Sequence, residues 1–389
     1  MNTKFYFISA LASMALLSGC SDNELASVET SQKTPIGFHT VGSQMGSRAT
    51  IITPSNLKDT DFKVYAFTSN EDGSNGTLFM GNDDTELGYN GVEIKYNKGK
   101  WDYVNPTDLK YWPGTVTPLN FYAVNPSTFD VDLATHYGWQ ISKNTQQISY
   151  SCIDEYGANT GHENMDVMYA MAKKKTKNSN SGTVKLNFRH ILSQIAFQAK
   201  TNDASIEVEI NEIKLFNFNI SGTFTLPTED DTAPTKDNWE TKPYTGGMCF
   251  SVIMGAKIEV KSSTDATNIT NNKPMLVIPQ TLKTWQTNTT TAKPKADADK
   301  DNESYLGIGC KIKVNGEYIN GSATQTEYLY VPFGAEWQPG KRYVYTLIFG
   351  GGYTNQGVPV LSPINFEATA EDWLEDTNNN NDGNNVITQ

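Results

Sequence analysis

Short apolar runs, bounded by Gly, Asn, Asp and Pro, recur from residue 62 to residue 368 of this 389-residue chain. They fall at 62–67, 92–96, 119–124, 184–188, 191–198, 206–213, 252–260, 275–278, 305–314, 328–331, 343–349 and 364–368. Runs of this length, many alternating with period two, are strands, and the Asn-Gly pairs at 75–76, 90–91, 315–316 and 320–321 are expected turns. Only 165–175 spaces its apolar residues as a helix would, and it reads equally as a strand followed by a basic loop. The chain is therefore all-β. Beyond residue 33 it is longer than one core usually serves, which predicts two β-sandwich domains in tandem, 34–182 and 183–376, divided at the Lys-, Asn- and Ser-rich stretch 173–182. Polar insertions at 227–244 and 281–304 interrupt the second, and the latter is expected to be a mobile surface loop. Residues 377–389 form an Asn-rich tail read as disordered.

Lys4 precedes an apolar run at 5–17 that closes with Leu17-Ser18-Gly19-Cys20. The run is too short to span a membrane, and small residues before a cysteine read as a lipoprotein signal peptide at 1–20, with Cys20 the lipidated first residue of the mature chain. Residues 21–33 are polar and aperiodic, a linker from lipid to fold. Removing residues 1–19 takes away Lys4 and no acid, so the formal charge of −12 becomes −13, with 30 basic against 43 acidic side chains. Such acidity gives no electrostatic reason to bind nucleic acid. Attachment to a membrane is expected through several acyl chains on one cysteine.

Pro35-Ile36-Gly37-Phe38-His39-Thr40-Val41 puts Ile36, Phe38 and Thr40 on one side of an extended segment. Gly42-Ser43-Gln44-Met45-Gly46-Ser47-Arg48-Ala49 follows, small, polar and expected to be exposed. The chain has three arginines; Arg189 and Arg342 lie in alternating apolar runs, whereas Arg48 sits where a protease can reach the backbone. Cleavage between Arg48 and Ala49 would free the strand before it, displacing Ile36 and Phe38 and opening a groove for another subunit. A surface arginine in an N-terminal linker is the alternative reading of the same residues.

Five further motifs carry a resemblance. Tyr111-Trp112-Pro113-Gly114 before Leu119-Asn120-Phe121-Tyr122-Ala123, then Leu186-Asn187-Phe188-Arg189-His190-Ile191-Leu192-Ser193-Gln194-Ile195, Leu276-Val277-Ile278-Pro279-Gln280, Val331-Pro332-Phe333 and Trp337-Gln338-Pro339-Gly340-Lys341-Arg342-Tyr343, with a late Trp373, resemble the fimbrillin family of Bacteroidota. Asp22 and Glu24 after the cysteine resemble the acidic signal that sends some lipoproteins of that phylum to the outer face. The resemblance implies two transthyretin-like β-sandwich domains, lipoprotein secretion to the outer membrane, and assembly with other pilus subunits once an arginine-specific protease removes the first strand. The chain departs from a stalk pilin after Trp373, where only polar residues and Val386-Ile387-Thr388 remain, a poor strand to donate. That favours a tip or accessory subunit.

No catalytic arrangement emerges, and no enzyme activity or cofactor is expected. His39, His136, His162 and His190 are scattered, without a Ser or Cys in a nucleophile setting, and His190 reads as structural. Gly161-His162-Glu163-Asn164-Met165-Asp166 lacks a second ligand pair and reads as a polar turn. Asp83-Asp84 and Glu229-Asp230-Asp231 read as solvated acidic loops. Beyond Cys20, the pairing to test is Cys249 with Cys310, against the alternative that these and Cys152 are three buried thiols. A second class of function is a surface adhesin for glycans or proteins of host or bacterial cells, stacking sugars on aromatic rings. Trp239 and Trp285, in or beside the polar insertions, are its candidate ligand contacts.

Overall fold

The computed structural model describes residues 33–41, 57–82, 90–127, 129, 138–152, 165–242, 249–251, 257–270, 275–287, 293–361 and 365–372. Contacts among residues 34–389 are those of one unit. Strands dominate its described residues, and the one α-helix among them spans Lys295–Lys300.

Strands β1 (Gly37–Val41) and β10 (Thr183–Asn187) form a two-stranded parallel sheet. They cover one face of a seven-stranded sheet running β11 (Arg189–His190), β9 (Met168–Lys175), β6 (Leu119–Asn125), β2 (Phe62–Ser69), β4 (Val92–Asn97) and β5 (Lys100–Tyr103), with β3 (Asn75–Met80) also on β2. A four-stranded sheet follows the order β15 (Trp239–Lys242), β14 (Ser221–Thr225), β8 (Gln146–Ser151) and β7 (Gly138–Ile141). Two larger sheets complete the unit. One runs β18 (Thr267–Asn268), β12 (Ser193–Thr201), β23 (Lys341–Phe349) and β26 (Asn365–Asp372), with β19 (Met275–Val277) also on β12. The other runs β16 (Cys249–Ser251), β13 (Ile206–Phe216), β20 (Tyr305–Val314), β22 (Glu327–Pro332), β24 (Gly351–Tyr353) and β25 (Pro359–Leu361). In that sheet β17 (Ile258–Val260) pairs with β13 and β21 (Glu317–Asn320) with β20.

Period-two alternation explains how one sheet serves two cores. Phe62, Val64 and Ala66 of β2, Phe121 and Ala123 of β6, and Ala170 and Ala172 of β9 point toward β1 and β10. Tyr65, Phe67, Tyr122, Val124, Tyr169 and Met171 point the other way, into a larger core shared with β12, β13, β20 and β23. Strands buried on both faces read as continuous apolar runs, which is why 119–124 shows no polar alternation.

Pairing crosses the line expected between residues 182 and 183 in three places, β10 on β1, β11 on β9 and β14 on β8. Val184, Leu186 and Phe188 belong to the core beneath β1, and the four-stranded sheet takes two strands from each side of that line. Residues 168–175 form a strand rather than a helix. The Asn-Gly expected to turn at 75–76 opens β3 instead, where Asn75 Oδ1 accepts from Asn120 and Tyr122. Asn315 and Gly316 do turn, both with positive φ, between β20 and β21.

The insertion at 281–304, expected to be mobile, is folded over its described residues, 281–287 and 293–304. Trp285 and Ala298 are buried against Tyr305 and Tyr353, and Lys295 Nζ sits 5.3–5.8 Å from the ring centres of Phe216, Tyr305 and Tyr330.

Candidate functional site

The candidate site is β1 and the groove it fills. In the segment before and along β1, Ile36 is 1% exposed and Phe38 6%, while His39 faces solvent. Phe38 packs edge-on against Phe62 and Phe121, with ring centres 6.3 Å away in each case, and at a tilt against Tyr103 at 6.1 Å. These neighbours belong to β2, β6 and β5, so the aromatic wall comes from the seven-stranded sheet. Val184, Leu186 and Phe188 supply the other side of the same small core.

Two different sets of polar contacts hold the segment. Along one edge, residues 37–41 pair in parallel with 183–187. Along the other, the described residues make separate contacts in place of a continuous ladder. Ile36 N donates to Lys110 O at 2.9 Å, Trp112 N donates to Thr34 O at 3.0 Å, and Pro35 bridges Tyr111. Tyr103 Oη donates to Ile36 O at 3.1 Å, and Trp101 Nε1 donates to Thr40 Oγ1 at 2.9 Å. Burial pushes the Tyr103 phenol well above its ordinary range, so it remains a hydrogen donor. Gly182, just before β10, has φ +85°, and a Cβ there would lie 3.0 Å from Thr34 Cγ2, so this turn requires glycine. Its carbonyl accepts from Trp112 Nε1 at 2.8 Å.

Trp101, Tyr103 and β10 were not assigned to this site from sequence. A usable signal existed for the first two: Lys98 and Gly99 turn with positive φ, and Trp101 and Tyr103 alternate behind them. Cys20, Arg48 and Ala49 lie outside the described residues.

Trp239 and Trp285, expected to be open to ligand, are not. Trp239 is 7% exposed, packs on Phe224 and donates Nε1 to Ile191 O at 2.9 Å. Trp285 is 1% exposed and donates Nε1 to Lys293 O at 3.1 Å. An indole whose faces are packed and whose N–H is bonded offers no stacking platform to a sugar.

The disulfide expectation also changes. Cys310 is a buried free thiol, as is Cys152, and burial pushes each up to about 12. Cys249 pairs across β13 with Phe216, whereas Cys310 pairs with Ile210 on the opposite edge of β13. A strand and several residues separate the two cysteines, beyond any disulfide's reach. Asp166, expected in a polar turn, is buried, its Oδ1 3.0 Å from His190 Nδ1, so both belong to the fold's interior. Among the described residues, no group of three or more His, Cys, Asp or Glu is placed to hold a metal. Asp230 pairs with Lys175 at 3.1 Å.

Comparison with known proteins agrees with this architecture. A family model described as fimbrillin-like matches residues 47–373. A fimbrium subunit, Fim1C, of Phocaeicola vulgatus is 27% identical over 185 residues, 46% of this chain and 47% of that protein, so the match spans about half the relative's length. The crystal structure of a fimbrial protein from Bacteroides vulgatus superposes with a TM-score of 0.58 at 17% identity, covering 87% of this chain and 99% of that one, a likeness of fold.

Proposed function

Given that this chain belongs to the fimbrillin-like family, we propose that it is a cell-surface fimbrial subunit whose first strand is a temporary plug. In this reading it is exported as a lipoprotein anchored to the outer membrane through Cys20. An arginine-specific protease then cuts between Arg48 and Ala49, β1 leaves, and another pilus subunit supplies the replacement strand. The observation that carries the reading is the placement of Ile36 and Phe38. They are buried by residues from four other strands, yet the segment holding them is short and bonded along one edge by a single ladder. Removing it uncovers apolar wall and unpaired backbone groups together, and one incoming extended segment satisfies both. Burial of the two side chains contributes roughly 1.5–3 kcal/mol each, before the ladder is counted.

In this reading the chain is a tip or accessory subunit, which accepts a strand without giving one. The glycan-binding alternative gains nothing from Trp239 and Trp285. The test is treatment of the purified protein with an arginine-specific protease, followed by N-terminal sequencing. The expected new terminus is Ala49, and Arg48→Ala should leave the chain uncut and unassembled. A stable cut elsewhere, or fibres formed by uncut Arg48→Ala protein, contradicts the reading.

A further inference from the structure

We infer that the groove reads its occupant by sequence and direction: a segment running parallel to β10, with an aliphatic residue, any residue, an aromatic, any residue, then a hydroxyl-bearing residue. The inference rests on the strand-exchange reading and specifies the partner's chemistry.

Each place in the pattern has its own physical cause. The backbone contacts at Thr34 and Ile36 involve main-chain atoms of the segment, so any non-proline residue at place 36 can make them, and they set position without selecting sequence. Place 36 lies on the small core and excludes polar side chains. Place 38 is surrounded by Phe62, Tyr103 and Phe121 at 6.1–6.3 Å, a ring-lined space that a smaller residue would leave partly empty. Places 37 and 39 are permissive. A Cβ at Gly37 would meet Thr183 Oγ1 at 3.4 Å, an ordinary contact, and His39 is exposed.

Place 40 discriminates most finely. Trp101 is buried, and its Nε1–H donates to Thr40 Oγ1. Valine has the shape of threonine and would leave that N–H without its acceptor, whereas serine would keep it. Direction follows from the register, in which Gly37 lies beside Thr183 and Val41 beside Asn187. A reversed segment could bury the same side chains but would carry the hydroxyl to the end of the groove away from Trp101.

The test uses the full chain, cut at Arg48, with the freed N-terminal fragment washed out in mild denaturant. The probes are labelled eight-residue peptides of sequence 34–41, Thr-Pro-Ile-Gly-Phe-His-Thr-Val, read by fluorescence anisotropy. The unaltered peptide should bind. Phe38→Ala in the peptide should weaken binding at least about a hundredfold, Thr40→Val about tenfold, and Thr40→Ser little. On Trp101→Phe protein the Thr40→Val penalty should vanish, since the donor is gone. A photo-crosslinker at place 37 should mark residues near Thr183, and one at place 41 residues near Asn187.

Equal binding of the unaltered and Thr40→Val peptides, crosslinks in the opposite order, or no uptake of any peptide overturns the inference. The uncut chain gives a second reading that does not depend on recovering an open groove. There Thr40→Val should lower the folding constant about tenfold, and less in the Trp101→Phe background; strictly additive losses overturn the code. Selective uptake by a protein that never builds fibres on cells leaves the code standing and removes the assembly reading alone.

Discussion

Residues 34–41 and the described residues of the insertion, 281–287 and 293–304, are both folded onto sheets, and they are held in opposite ways. The first is bonded along one edge by a regular ladder, anchored by Ile36 and Phe38, and steadied by four separate polar contacts. The second is held by individually matched polar contacts, most of them within the segment itself. Glu303, 2% exposed, takes Lys293 Nζ at 2.5 Å and Gln286 N at 3.0 Å. Asp299 takes Lys295 at 2.7 Å and Asn217 at 3.0 Å, and also accepts from Tyr305. Ladder bonds and apolar pockets are generic, so a segment held by them can be exchanged for another of like pattern. A segment ordered by ion pairs matched within itself, one of them on the buried Glu303 carboxylate, is not exchanged in that way.

Replacement in trans is therefore the way to break the comparison. The largest effect is expected from Phe38→Ala, about 3–5 kcal/mol in the uncut chain by thermal or denaturant melting. The loss should disappear from the cut protein when unaltered 34–41 peptide is supplied. Lys293→Met comes next. It leaves the Glu303 carboxylate buried with only Gln286 N and Lys283, the latter 3.8 Å away, and should cost about 3 kcal/mol. A peptide of sequence 293–301 should not restore it; restoration would erase the distinction between the two segments.

Trp101→Phe should cost about 1 kcal/mol through the lost bond to Thr40, measured by chemical denaturation. The smallest effect is that of pH. Burial pushes the Asp299 carboxyl up, but hydrogen bonds from Lys295, Tyr305 and Asn217 outweigh it and hold the group below its ordinary value. Its contribution is then fully present above the unfolded value near 3.8 and is lost as pH falls through the lower folded value. The protection factors of amides at 295–305, taken relative to the intrinsic exchange rate at each pH, should fall on acidification below about pH 4, with those at 183–187 changing less.

What could be read from sequence follows the same division. Alternation at Ile36, Phe38 and Thr40 announced a half-buried strand, and both apolar side chains are buried as that pattern requires. Its partner could not be read, because a parallel pairing between residues 37 and 183 leaves no local trace. The Lys- and Asn-rich stretch at 173–182 suggested a border, yet the chain turns there to place β10 beside β1. The strap at 281–304 was misread for a physical reason. Trp285 and Ala298 are its main apolar anchors, and what orders the rest is Lys295 meeting aromatic rings of distant strands and ion pairs onto the segment's own carboxylates, Asp299 and the buried Glu303. Composition registers such residues as solvated. Trp239 was misjudged likewise, since β15, a strand inside its polar insertion, turns the ring inward against Phe224.

Hydrogen–deuterium exchange at the backbone amides of 183–187 tests the central claim most directly, measured on the uncut chain, on the chain cut at Arg48 and cleared of its N-terminal fragment, and on assembled fibres. Protection should be present, then lost, then restored. Amides at 183–187 that stay protected after the fragment has gone would show that β1 does not plug this groove.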